Sequence, residues 1–260
     1  MLYKRMAKRL RFNCNDRDDR LEDDYFRFQW SAYDANCFDE PRIDRMFLDD
    51  AEERLRKAAV SKYERLCGFR GTRYAGNTFE SYDAESEGQQ KAVASLIAYA
   101  TDEKHVQGGE GVILFGPRGT GKDHLMMALS RLVILRFGFG VEWINGLDLY
   151  GKFRDSFNDG SRQTEAEIIR SFITPDVLYI SDPLPPSGAL TEFQMAQLFR
   201  VLDARYSNCR ATWITVNVTG GEELDKRLGP QNGDRLRDNA LAIFCNWPSH
   251  RKVGSLVKGG

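Results

Sequence analysis

From Asn77 onward the apolar positions of the chain keep changing period. Over Glu87 to Ala100 the residues Ala92, Val93, Leu96 and Ala100 recur at helical spacing, which predicts a helix. Ser86 and Gln89 stand at its start with the spacing of a capping box, where each side chain meets the other's backbone N–H. Leu125, Ala128, Leu129, Leu132 and Leu135 repeat the helical pattern further on. Short apolar runs at 112–115, 141–144, 177–180, 212–216 and 241–244 predict strands, each separated from the next by helical or loop material. Such alternation is the mark of an α/β domain around a mainly parallel sheet.

Upstream the pattern is weaker. Asp50 has the character of a cap for a helix from Ala51 to about Leu66, with Leu55, Ala58, Ala59 and Leu66 as its apolar stripe. Gly68, Gly71 and Gly76 then predict a linker near 68–76. The expected organisation is a mostly helical or irregular N-terminal region over 1–76 and a second domain over 77–260. Lys4, Arg5, Lys8, Arg9 and Arg11 open the chain as a solvated basic end. Phe26, Phe28 and Trp30 alternate with Arg27 and Gln29, a presentation that serves either packing on the main domain or docking of a partner.

Charge narrows the function classes. With 37 Lys+Arg against 38 Asp+Glu, the chain is no globally basic nucleic-acid coat, so any such contact must come from a local patch. No run approaches the ~18 apolar residues of a membrane helix, and the opening lacks the apolar core of a signal peptide, so the expected location is cytoplasmic with no membrane contact. The five cysteines are widely spaced without a CxxC pair, and the three histidines are scattered, which suggests neither a disulfide framework nor a metal centre.

Gly116-Pro117-Arg118-Gly119-Thr120-Gly121-Lys122 fits the GxxxxGK half of a Walker A loop. Its glycines let successive N–H groups point at phosphate oxygens, its lysine faces the β and γ phosphates, and the following helix adds the positive end of its dipole. It lies between an apolar strand and an amphipathic helix, where that mechanism needs it. ATP is therefore the expected cofactor, together with Mg²⁺. The position of the Mg²⁺-binding hydroxyl, however, holds Asp123.

Taken with the loop, several segments resemble the AAA+ ATPases of the DnaC/DnaI helicase-loader group and their IstB transposition relatives. Phe79-Glu80-Ser81-Tyr82 and Glu87-Gly88-Gln89 are similar to the entry of that P-loop NTPase core, and Gly121-Lys122-Asp123-His124-Leu125 to its GK(T/N)HL. The run from Asp176 to Asp182 resembles the Walker B strand, the run from Ile214 to Asn217 the sensor I strand, and Leu228-Gly229 with Asp234-Arg235-Leu236 the arginine-finger region. Phe244-Cys245-Asn246-Trp247 and Ser249-His250-Arg251 resemble the ending of DnaC-type loaders in particular.

The resemblance implies that Gly116, Gly119, Thr120, Gly121, Lys122 and Asp123 cradle ATP, with Arg251 as sensor II. It implies that Asp182 activates water, that Asn217 orients it, and that Arg235 stands in the finger pattern beside Arg227. It further implies a replicative DNA helicase as partner, self-association through AAA+ interfaces, and single-stranded DNA contact through Lys152, Arg154 and Phe157 after the second strand, although core packing is open to Phe157. Three positions depart from the pattern. Ser181 replaces the metal-site Asp, Asp182 replaces a longer Glu, and Gln231 stands at the finger, so a non-hydrolysing adaptor stays open beside an ATPase. Asp123 and Ser181 look like an exchange of acid and hydroxyl, which would keep a Mg²⁺ site and make ATP affinity unusually dependent on Mg²⁺.

Overall fold

The computed structural model describes residues 40–158 and 163–250, with side chains from Asp50 onward. The basic opening, the aromatics before residue 40 and Arg251 lie outside the described residues. The chain divides into two compact units, Met1–Ala51 and Glu52–Gly260.

Helix α1 runs Glu40–Arg70, so Asp50 lies inside it rather than capping its start. The physical reason is local: Pro41 sits in the first turn, where its missing N–H costs nothing, and nothing between it and Asp50 breaks a helix. The glycine-rich stretch after α1 is a short 3₁₀ turn at Thr72–Tyr74. The remaining elements are α2 (Glu87–Tyr99), α3 (Glu103–Gln107), β1 (Gly111–Phe115), α4 (Lys122–Phe137), β2 (Val141–Asn145), α5 (Gly146–Asp155), α6 (Glu165–Ile173), β3 (Val177–Ser181), α7 (Glu192–Ser207), β4 (Ala211–Val216), α8 (Gly221–Leu228), α9 (Pro230–Arg237) and β5 (Ala240–Phe244). All five expected strands are present, and the capping box at Ser86 and Gln89 is formed.

The strands make one sheet in the order β2-β3-β4-β1-β5, and every pairing is parallel. Helices bury both faces of the central strands β1, β3 and β4, which explains why these read as continuous apolar runs rather than alternations, while the edge strands β2 and β5 are only partly buried. On one face Val112, Leu114, Tyr179 and Trp213 pack with Leu96, Leu125, Met126 and Leu129. On the other Ile113, Leu178, Ile180 and Ile214 pack with Tyr150, Phe153, Leu198 and Val201. Ala59, Leu66 and Cys67 of α1 belong to the first cluster, so the helix from Glu52 onward packs with the sheet within the unit Glu52–Gly260. Among the described residues no helix is long and apolar enough to cross a membrane.

Register aligns the strand ends. Phe115 lies opposite Val216, and Ser181 opposite Thr215, so the segments leaving β1, β3 and β4 emerge side by side at one edge. Because Leu66 is 2% exposed, Leu66→Ala is expected to cost about 2–5 kcal/mol in urea unfolding. A loss below ~0.5 kcal/mol would mean that α1 is not part of the core.

Candidate functional site

Between β1 and α4 the loop from Gly116 to Gly121 turns on glycines that no other residue could replace without strain. A Cβ at Gly116 (φ +143°) would stand 2.3 Å from the Cys245 carbonyl oxygen, and one at Gly121 (φ +85°) 2.6 Å from the Tyr82 ring. The loop is braced from outside. The Thr120 carbonyl accepts from Tyr82 Oη at 3.0 Å and from Trp247 Nε1 at 2.7 Å, and the Gly119 carbonyl accepts from the His250 N–H at 2.9 Å. His124 and His250 both meet the Tyr82 ring edge-on at 5.3 Å. Two of the scattered histidines thus flank one buried tyrosine, a contact that sequence spacing could not show. Inside the loop the Lys122 ammonium donates to the carbonyls of Gly116 at 2.8 Å and Pro117 at 2.6 Å.

Beside the loop lies a cleft of about 220 Å³ lined by Pro117, Arg118, Asp182, Pro185, Asn217 and Arg227. Asp182 leaves β3 with φ +46°, an uncommon conformation outside glycine, and its backbone N–H is held by the Thr215 carbonyl at 3.0 Å. Asn217 Nδ2 donates to its Oδ1. The two residues assigned to water activation and orientation are therefore brought together, facing the loop. Arg227, one of two candidate fingers, reaches into its own chain's cleft: it donates to the carbonyls of Pro185 at 2.7 Å, Gly188 at 2.8 Å and Asn217 at 3.3 Å. Arg235 is placed elsewhere. It pairs with Asp203 at 2.9 Å and lies near Gly111 and Thr212, at the opposite end of the sheet.

Asp123 and Ser181 are both engaged away from the cleft. Asp123 Oδ2 pairs with Arg70 of α1 at 2.9 Å, while its Oδ1 accepts from Tyr179 Oη at 2.6 Å and Thr215 Oγ1 at 3.1 Å. Burial first, and the Asp123 charge second, push Tyr179 well above the ordinary phenol range, so it remains a donor. Ser181 is 1% exposed and its hydroxyl accepts from Trp143 Nε1 at 2.9 Å. As placed, both side chains are engaged with protein partners, the Asp123 carboxylate with Arg70, Tyr179 and Thr215 and the Ser181 hydroxyl with Trp143. Arg70, Tyr179, Trp143 and Tyr82 are the site residues that sequence reasoning missed.

Phe157 is exposed, at 63%, and meets Phe193 edge-on at 6.1 Å, so it is not in the core. Lys152 and Arg154 are exposed on α5 just before it.

A family model of IstB-like ATP binding proteins matches residues 38–232, more than half of the chain. This chain belongs to that family. The IstB-like chain is 26% identical over 190 residues to an insertion sequence ATP-binding protein of Sinorhizobium fredii, covering 70% of this chain and 59% of that protein. It is also 25% identical over 184 residues to an insertion sequence ATP-binding protein of Geobacillus stearothermophilus, covering 67% of each. The chain therefore spans about three fifths to two thirds of the length of these relatives. Its fold is similar to the crystal structure of the DnaC helicase loader, with a TM-score of 0.60 at 19% identity over 67% of this chain and 99% of that one.

Burial first, and the Asp123 charge second, hold the Asp182 carboxyl above the ordinary aspartate range, against the pull of Lys122, Arg70 and Arg118. A pKa raised by folding means that the folded state binds the proton more tightly, so stability is lost as pH rises through the carboxylate range. Asp182→Asn is accordingly expected to raise the unfolding midpoint at pH 7, by an amount that shrinks toward about pH 4, while lowering any ATP turnover. Thermal melts at both pH values check this, and a lower midpoint at pH 7 contradicts it.

Proposed function

We propose that this chain is an ATP-dependent loading factor that binds ATP at the 116–122 loop, contacts single-stranded DNA through α5 and the residues after it, and delivers a replicative DNA helicase. The observation that carries this reading is a single connection. The proline-rich segment after Asp182 lines the cleft and is tied to it by Arg227, and it leads into α7, whose Phe193 touches the exposed Phe157. Events at the γ-phosphate position are thus one stiff segment away from an aromatic able to stack on a base. Asp182 and Asn217 support water positioning, and Arg118 and Arg227 supply cations around the transferred group. In a side-by-side assembly Arg235, remote from its own loop, is the residue for a neighbour's nucleotide. Arg251 is proposed as a further nucleotide contact on the strength of the resemblance alone, and a cytoplasmic location accords with this role.

A second reading has its own support. Both curated relatives carry insertion-sequence names, which favours an ATP-binding partner of a transposase. Affinity capture with the tagged full chain in ATP decides between them: retention of the replicative helicase supports loading, and retention of a transposase instead supports the second reading.

Base stacking on an aromatic is worth ~1–3 kcal/mol, so Phe157→Ala is expected to weaken single-stranded DNA binding about fivefold or more. Fluorescence anisotropy with a labelled oligonucleotide checks this. Unchanged affinity would remove Phe157 from the DNA contact.

A further inference from the structure

We infer that Arg70 is a specificity-determining residue of the nucleotide site: its ion pair with Asp123 stands where an ordinary P-loop presents a hydroxyl to Mg²⁺, so that ATP binds this chain with little dependence on the metal. The inference rests on the nucleotide-binding reading above and adds a residue from outside every phosphate motif.

The Arg70 guanidinium is built in. It lies 4.0 Å from the centroid of the Tyr74 ring and 4.5 Å from that of Trp143, with a side chain only 9% exposed. Its buried Nε has no hydrogen-bond partner, a cost that the ion pair and the ring contacts must outweigh. The Asp123 carboxylate, in turn, spends one oxygen on Arg70 and the other on Tyr179 and Thr215, donors from two neighbouring strands. Trp143 closes the arrangement, since the ring that meets Arg70 also donates its indole N–H to Ser181. One network therefore occupies both positions from which a metal would be held. It also cancels the charge that would repel phosphate, leaving Lys122, Arg118 and the N-terminus of α4 to meet the triphosphate. The steep Mg²⁺ dependence expected from sequence loses its basis, because that argument required an uncompensated Asp123.

The test is calorimetric titration of the full chain with ATP, in excess Mg²⁺ and in EDTA. Wild-type affinities in the two buffers are expected to agree within about threefold, and Arg70→Gln to weaken binding in EDTA about tenfold or more, with recovery in Mg²⁺. Arg70→Lys should restore part of the EDTA affinity, which a purely structural role for the ring contacts would not. Where Arg70→Gln does not fold, Asp123→Thr serves instead: it removes the negative charge and is expected to bind ATP in EDTA at least as tightly as wild type. Wild-type affinity that falls about tenfold or more in EDTA, a folded Arg70→Gln whose Mg²⁺ response matches that of wild type, or an Asp123→Thr that binds ATP in EDTA more weakly than wild type overturns the inference while leaving nucleotide binding intact. No binding of ATP by wild type in either buffer overturns the nucleotide reading and the inference with it.

Discussion

A carboxylate at the start of the phosphate-binding helix is the constraint around which the site is arranged. Asp123 lies in the first turn of α4, where the helix dipole favours an anion but where a triphosphate must also approach. At ~4 Å and an effective dielectric of 20, two like charges would repel by about 4 kcal/mol. The chain answers with Arg70, brought in on α1, and with hydroxyl donors from β3 and β4. The end of α1, within the unit Glu52–Gly260, is thereby held by charge as well as by the burial of Leu66 and Cys67. Removing either partner of the pair would leave the other short of compensation in a partly buried place.

The loop itself is held by a second, independent set of contacts. Tyr82 precedes the sheet and Trp247 follows it, yet both donate to the carbonyl of Thr120. An unbraced glycine-rich loop would lose conformational entropy when its N–H groups converge on phosphate; these contacts fix its shape beforehand. From the same edge of the sheet Asp182 and Asn217 face the loop, because parallel register brings the ends of β1, β3 and β4 together. The proline-rich segment then carries that geometry to Phe193 and Phe157.

Much of this was legible in the sequence wherever the signal was local. Strands buried on both faces announce themselves as apolar runs, the capping box as Ser86 and Gln89 at a fixed offset, and the loop as glycines and a lysine between strand and helix. Resemblance pointed to Asp182, Asn217 and the segment containing Trp247; the family match over 38–232 spans the first two positions and ends before the third. What stayed hidden was long-range. Arg70 reads as one more cation at the end of a helix, and only the packing of α1 shows that it meets Asp123. Tyr179 and Trp143 read as strand residues whose apolar bodies fill a sheet, while their polar tips decide how Asp123 and Ser181 are used. Asp50 misled for the opposite reason: its capping propensity is real, but helix-compatible residues upstream carry α1 past it.

The central claim is that Arg70 and Asp123 act as one unit. A double-mutant cycle of Arg70→Met and Asp123→Asn in urea unfolding of the full chain measures this without any ligand. The account predicts a coupling of about 1 kcal/mol or more between the two substitutions, whereas effects that add within ~0.5 kcal/mol would contradict it.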